Sequence, residues 1–309
     1  MAAMTNAVAS SQLIDVEYLG KRRYIAACLL LGDVPVVVDP GPAVSLPALR
    51  AGLAAAGLTL DDLGAVLLTH IHHDHAGATG TIVAHNPQVE VYVHERGAAH
   101  LIDPSRLIAS ARRLYGGRME SLWGDFGAVP AGNVRPLTGG ETLAFGGRRL
   151  EVAYTPGHAV HHVSYLDHAE GTAFVGDTAG VRIANLPFVM PVTPPPDIDL
   201  EAWEDSLEKI TAWRPQRLFV THFGPADGVR AHIEEHRRRL ARWAEAVREG
   251  LGSGASDQAL ITTFRDDVLA RLHERLTAEE AAAYRQGGAP DMSWQGLARY
   301  WRKRWESDR

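Results

Sequence analysis

Thr69-His70-Ile71-His72-His73-Asp74-His75-Ala76-Gly77 sets five metal-capable side chains within six residues, directly after the apolar run Ala65-Val66-Leu67-Leu68. A short run without polar alternation reads as a strand buried on both faces. The histidines therefore stand at a strand end, where a rigid sheet can hold ligands near open solvent. Imidazole and carboxylate together suit zinc, iron or manganese, and the sulfur ligands that select copper are missing. A solvated histidine-rich turn is the plain alternative for this segment taken alone.

Three later stretches repeat the plan. Ala153-Tyr154-Thr155-Pro156-Gly157-His158 places a histidine after a strand and a tight turn, Phe174-Val175-Gly176-Asp177 ends a strand in an aspartate, and Leu218-Phe219-Val220-Thr221-His222 ends another in a histidine. Each is weak alone, because a lone loop histidine is more often structural than a ligand. Together they repeat one geometry.

H-x-H-x-D-H followed by Ala-Gly, then T-P-G-H, G-D and T-H-F-G in that order, resembles the metallo-β-lactamase superfamily, in its glyoxalase II-like and thioesterase-like branch with a helical C-terminal extension. The resemblance covers roughly residues 13–224. It implies an α/β fold, an αββα sandwich with the site at one edge between the sheets. It also implies that His70, His72 and His158 hold a first metal, that Asp74, His75 and His222 hold a second, and that Asp177 bridges them. Asp39, ending the strand 36–38, matches an aspartate that orients such ligands, with a turn-capping role as the alternative. His73 fills a variable slot and should face away from the metals. Of His161 and His162, neighbours on a strand, at least one must face opposite to the other. Either pocket lining or packing suits them. His85, His94, His100, His168, His232, His236 and His273 carry no positional signal.

Outward from these motifs, 14–39 reads as hairpin strands turning at Gly32-Asp33, and 46–56 as a helix stopped by Gly57. The pattern predicts a helix over 77–85, a strand over 89–93 and glycine-interrupted helical patterning over 95–126. Strands follow at 148–154, 163–167 and 172–176, then a proline-rich extended connector between Leu186 and Asp197. A helix over 200–213, a strand over 217–221 and a helical tail from Val229 complete the chain. Strands alternating with helices in both halves point to helices outside and two sheets within. The expected organisation is a disordered N-terminus over 1–12, a catalytic domain over 13–228 and a helical extension over 229–309.

With 309 residues the chain can bury a large core without staples. Cys28, its single cysteine, lies in an apolar run and reads as core filler, so neither an intramolecular disulfide nor a zinc thiolate cluster is available. The balance of 31 basic and 37 acidic residues, a formal charge of −6, lacks the basic excess that nucleic acid demands. No apolar stretch approaches the roughly 20 residues of a membrane span, and the start resembles no signal peptide. The expectation is a cytoplasmic protein with a small-molecule substrate, no nucleic-acid or membrane partner, and a homodimer as a possible assembly.

Two dications a few ångströms apart lower the pKa of a bridging water from about 16 towards about 7 and polarise a carbonyl, which is a hydrolase design. The cofactor expectation is two divalent ions, zinc first, with iron or manganese as alternatives. Asp74, beyond ligation, is the candidate catalytic residue, able to orient the nucleophile or pass a proton to the leaving group. The tail aromatics Trp243, Tyr284, Trp294, Tyr300, Trp301 and Trp305 read chiefly as helix packing. The tail resembles those of glyoxalase II-like acyl-thioester hydrolases, although it lacks a basic signature for glutathione. An ester, thioester or related acyl substrate is therefore expected. A lactonase or β-lactamase-type amide hydrolase is one alternative, weakened for the lactonase because Thr178-Ala179-Gly180, without tyrosine, follows Asp177. A sulfur dioxygenase with a single iron is the other.

Overall fold

The computed structural model describes residues 10–186 and 188–307. β1 (Ser11–Asp15), β2 (Ala26–Leu30), β3 (Val36–Val38), β4 (Ala65–Leu67), β5 (Glu90–His94) and β6 (Val134–Leu137) lie side by side in that order as one sheet. β7 (Thr142–Phe145), β8 (Arg148–Tyr154), β9 (Val163–Asp167), β10 (Thr172–Phe174), β11 (Arg217–Val220) and β12 (Gly224–Ala226) form the second, also in chain order. β3 to β6 pair in parallel, as do β10 and β11, while the remaining neighbours are antiparallel.

Parallel neighbours need crossovers, and helices supply most of them. α1 (Leu46–Ala55) joins β3 to β4, and α2 (His73–Ala76) with α3 (Thr79–His85) joins β4 to β5. α4 (Glu95–Ile102), α5 (Ser105–Tyr115) and α6 (Met119–Trp123) fill the interval before β6, and α7 (Leu200–Ala212) precedes β11. After β12 come α8 (Val229–Gly252), α9 (Asp257–His273), α10 (Ala278–Gly288) and α11 (Pro290–Ser307).

The apolar runs are continuous because both faces of these strands are covered. In β2, Ala26, Cys28 and Leu30 point between the sheets, meeting Val36, Val38, Leu67, Tyr165, Phe174 and Phe219. Their neighbours Ala27 and Leu29 point the other way, onto Leu49 and Leu53 of α1 and Ile82 and Val83 of α3. Leu29, Leu49 and Leu53 are fully buried, each contributing about 1.5–3 kcal/mol of apolar transfer. Cys28 is core filler, 1% exposed.

On the second sheet, Ala173, Leu218 and Val220 pack outward against Trp203, Leu207 and Ile210 of α7 and Ile233, Leu240 and Trp243 of α8. Trp294 and Leu297 of α11 enter the same cluster. The helical extension thus shares a core with the second sheet. Layer by layer the architecture is the expected αββα sandwich.

Part of the segment expected to be disordered, residues 1–9, lies outside the described residues. Ser11 and Gln12 depart from that expectation, because β1 begins at Ser11 and pairs with Leu30 and Leu29. The apolar pattern could not reveal β6, β7 and β12: β6 contains Pro136, β7 lies on a sheet edge with exposed Thr142 and Ala144, and β12 has only three residues. Pro-containing and edge strands bury too little for a clean periodicity.

Candidate metal centre

The seven expected residues meet at one edge of the sandwich, all beyond the C-terminal ends of strands. His70 and His72 follow β4, and α2, a single turn rather than a loop, carries Asp74 and His75. His158 follows β8, Asp177 follows β10 and His222 follows β11. Two groups stand out: His70, His72 and His158, and Asp74, His75 and His222. Within each, the candidate ligand atoms lie within 4.8 Å of one another, and a third such group, His70, His75 and Asp177, spans the gap. Each of the first two draws two residues from the β4 end and one from the second sheet.

Asp177 faces both. Its Oδ2 lies 3.5 Å from His158 Nε2, whereas its Oδ1 lies 3.4 Å from His75 Nε2 and 3.6 Å from His222 Nε2. Gly176 is what lets the chain place it there: φ is +47°, and a Cβ would sit 2.5 Å from Thr69 Oγ1 and 2.6 Å from His162 Nε2. The Asp177 amide donates to His162 Nε2 at 3.3 Å, and His162 Nδ1 in turn meets Thr155 Oγ1 at 2.9 Å.

The outer ring nitrogens fix the tautomers. His158 Nδ1 donates to the Val192 carbonyl and His222 Nδ1 to the Tyr24 carbonyl, each at 2.9 Å, so both Nε2 atoms present lone pairs inward. His75 Nδ1 donates to Asp39 Oδ2 at 2.8 Å. Thr69 Oγ1 spends its proton on Asp39 Oδ2 at 2.7 Å, which leaves it to accept from His70 Nδ1 at 3.2 Å. Thr221 Oγ1 also donates to Asp39 Oδ2, at 2.7 Å, and the Thr69 amide donates to Oδ1 at 2.8 Å. Asp39 is therefore an orienting group rather than a turn cap, and it holds Thr-His pairs from both sheets.

The residues fit divalent cations. His70 Nε2 and His158 Nε2 lie 2.9 and 3.0 Å from His72 Nδ1, close to the roughly 3.3 Å between nitrogens around a tetrahedral zinc. His75 Nε2 and Asp177 Oδ1 are buried yet make no hydrogen bond. Native interiors rarely leave such atoms unpaired. Burial and the neighbouring rings of His75, His72 and His158 hold His70 well below the usual histidine range, and burial with His158 brings His72 to about 3. For His75 burial acts the same way, but Asp177, Asp39 and Asp74 outweigh it and raise it well above that range. Burial likewise opposes ionisation of Asp177, yet His75, His222 and His158 hold it well below the usual carboxylate range. A dense donor set with ionised carboxylates at its centre is what a divalent ion requires.

A cavity of about 520 Å³ opens over this edge. His72, Asp74, His158, Asp177 and His222 form its floor. The 95–126 segment provides one wall through Leu107, Ala111, Leu114 and Tyr115 of α5 and Trp123 of α6, and the α10–α11 junction provides part of another through Gly287, Gly288 and Met292. Tyr18 and Tyr115 pack on Trp123, with ring centroids 5.5 and 5.3 Å away. None of the six tail aromatics named from the sequence lines the cavity. Trp243 and Trp294 are buried in helix packing instead.

His73 stays outside all three groups, as expected, its ring against Phe126 and Trp123 at 5.0 and 6.0 Å, although the residue also lines the cavity. His161 lines the cavity, and His162 is buried behind Asp177. Sequence reasoning missed Thr69 and Thr221 as orienting groups, although each directly precedes a proposed ligand. It also missed Tyr18, Tyr115 and Trp123, for which no local signal existed.

Residues 24–223 match the family model of the metallo-beta-lactamase superfamily. A metallo-beta-lactamase fold-containing protein of Sulfurisphaera tokodaii, ST1585, is 30% identical over 190 residues, 59% of this chain and 67% of that protein. A hydroxyacylglutathione hydrolase of Aeromonas hydrophila is 34% identical over 143 residues, which are 46% of this chain and only 41% of the enzyme. Among solved structures, the metallo-beta-lactamase family protein TTHA1429 of Thermus thermophilus has the same fold over 95% of this chain and 93% of its own, with a TM-score of 0.70 at 24% identity. With the match covering residues 24–223 and every motif at one sheet edge, the chain belongs to the metallo-β-lactamase superfamily.

Proposed function

We propose that this protein is a hydrolase of acyl esters or thioesters that works with two divalent metal ions, zinc first among them. His70, His72 and His158 would hold one ion, Asp74, His75 and His222 the other, and Asp177 would serve both. The observation that carries this reading is Asp177, whose two carboxylate oxygens face different triads. Two ions bound there supply Lewis acidity toward a carbonyl and a water-derived nucleophile at neutral pH.

The protein's own side chains do the rest. Asp39, Thr69 and the carbonyls of Val192 and Tyr24 fix the ring orientations before any ion arrives, which removes reorganisation from the reacting state. Asp74 is the acidic side chain of the second triad that reaches the open cavity, one-quarter exposed, with Oδ2 3.4 Å from His222 Nε2. Burial favours its neutral form, but His75 and His222 hold it below the usual carboxylate range, so it is ionised and ready to orient water or accept a proton. A thiolate with a thiol pKa near 8.5 departs without a proton donor, which suits a site with no other acid at that position. The similarity to a hydroxyacylglutathione hydrolase supports thioester chemistry. The second triad is as complete as the first, which favours the two-metal hydrolase over a single-iron oxygenase.

The test joins elemental analysis to a substrate panel of thioesters, esters, lactones, β-lactams and phosphodiesters, run at equal metal loading. Close to two metals per chain and highest kcat/KM on thioesters or activated esters are expected. One iron per chain with no second ion after reconstitution overturns the two-metal reading. A tenfold preference for β-lactams or phosphodiesters overturns the acyl substrate.

A further inference from the structure

The metal cluster occupies only the floor of the cavity, and most of the walls are apolar, with Leu107, Ala111 and Leu114 along one stripe of α5 and Met292 at the start of α11. Arg96, Arg106 and Arg118 also line this cavity, the Arg96 guanidinium lying over the Tyr154 ring, 5.9 Å from its centroid. All three residues are exposed, and none forms an ion pair with a carboxylate among the described residues. Other exposed arginines divide: Arg230 pairs with Glu234, Arg248 with Glu245 and Arg302 with Asp257, whereas Arg112 and Arg149 make no ion pair among the described residues, so it is the position around the cavity that sets Arg96, Arg106 and Arg118 apart. Outside the metal cluster, Asp197 is the single acid lining the cavity among the described residues, and Arg299, Lys303 and His100 already act on it.

A scatter of solvated arginines would explain three such residues on an open surface. Here they border one apolar cavity, in a chain whose formal charge is −6. Arg96 and His100, four residues apart on α4, share a helix face. Arg106 stands in the first turn of α5, and Arg118 lies in a separate turn beyond its other end, after a helical stretch of roughly 13 Å at 1.5 Å per residue. A guanidinium without a salt-bridge partner at the mouth of an apolar cavity is suited to fork onto a carboxylate or phosphate oxygen pair.

We propose that an anionic group, phosphate or carboxylate, carried on the part of the substrate remote from the bond that is hydrolysed, is bound by one or more of Arg96, Arg106 and Arg118, the single variants below deciding which. The proposal rests on the hydrolase reading of the same cavity, and it narrows the substrate to an acyl compound with an apolar body and an anionic end. Neutral esters then serve as poor substrates, limited by binding rather than by chemistry.

Binding can be tested without turnover. Three non-hydrolysable alkyl thioethers of equal length, ending in phosphate, carboxylate or hydroxyl, are titrated calorimetrically into the full-length protein at low and high salt. The same titrations are run on Arg96→Ala, Arg106→Ala and Arg118→Ala singly and combined. We expect at least one anionic thioether to bind tenfold or more tightly than the hydroxyl compound, with the order of phosphate and carboxylate naming the group. In the triple variant that preference should fall to about twofold or less, and salt should weaken it in the wild type. Removing three exposed side chains should leave the thermal midpoint unchanged, so loss of fold will not mimic the result. Equal binding of all three thioethers, or a preference that survives in the triple variant, overturns the proposal. A failure of hydrolysis alone would leave these binding ratios intact and count against the catalytic reading only.

Discussion

Replacing Asp39 with asparagine changes one oxygen into an amide, and the surrounding donors make the cost calculable. Asp39 accepts from the Thr69 amide on Oδ1, and from Thr69 Oγ1, His75 Nδ1 and Thr221 Oγ1 on Oδ2. An asparagine there can present an acceptor to only one of these sets. Its better rotamer keeps oxygen toward the three side chains and turns NH2 onto the Thr69 amide, where donor meets donor at 2.8 Å. The buried amide is then unsatisfied, costing about 1–3 kcal/mol, and three charge-assisted bonds become neutral ones, each weaker by roughly 1 kcal/mol. The total is about 4–6 kcal/mol before relaxation. Because the bonds that orient His75 directly, and His70 through Thr69, weaken together, metal affinity should fall about 10- to 100-fold. Urea unfolding of the metal-free protein and chelator competition on the metal-loaded protein measure the two quantities separately. If Asp39→Asn stays within 1 kcal/mol of wild type and holds metal within twofold, the orienting role assigned to Asp39 is wrong.

Asp177→Ala should reduce hydrolysis by several orders of magnitude, whereas His73→Ala, which removes a ring lying on Phe126 and Trp123, should cost a few-fold at most; equal losses in two folded variants would show the ligand assignment to be mistaken. Chelation should abolish activity, and readdition of zinc or manganese should restore it; activity that persists after verified metal removal would contradict the metal-dependent reading. On α8, burial lowers His232 to about 4 although its Nε2 donates to the Ala179 carbonyl, with Arg182 lowering it further and Glu235 opposing. It folds neutral and unfolds with an ordinary pKa near 6.5, so the unfolded chain binds more protons between those values. Stability should therefore fall as pH drops from about 6.5 towards 4, by roughly 1 kcal/mol per pH unit from this residue. His232→Gln, which keeps a donor for Ala179, should flatten that slope in urea midpoints taken at pH 7, 6 and 5, and an unchanged slope would refute the assignment.

The metal cluster was legible because its residues sit one after another at strand ends, where the apolar run and the ligand are adjacent in the chain. His70 follows Leu68 by two positions, and His222 follows Val220 by two. The sandwich was legible for the same reason, since a strand buried on both faces leaves an unbroken apolar string such as 26–30. The cavity walls were not. Tyr18, Arg106 and Met292 lie far apart in sequence on otherwise ordinary surface-like segments, and only the packing of α5 and α11 over the sheet edge brings them together. Asp39 stood between two readings until its four donors were placed, because its neighbours Thr69 and Thr221 come from different sheets. His161 and His162 lie in the turn before β9 rather than on a strand as expected, yet they still divide, one toward the cavity and one behind Asp177.

Neither triad is complete within one half of the chain. Residues up to His75 supply two donors of each, and the third arrives from His158 in one case and His222 in the other. During synthesis, then, each triad stays one donor short until the second sheet has formed and docked, and the last donor emerges near the end of that sheet. On the two-metal reading, full ligation would be a late event that rewards correct juxtaposition of the sheets, since metal binding is coupled to the folding that builds the site. Metal retention by a folding chain would then report that its two halves have come together in register.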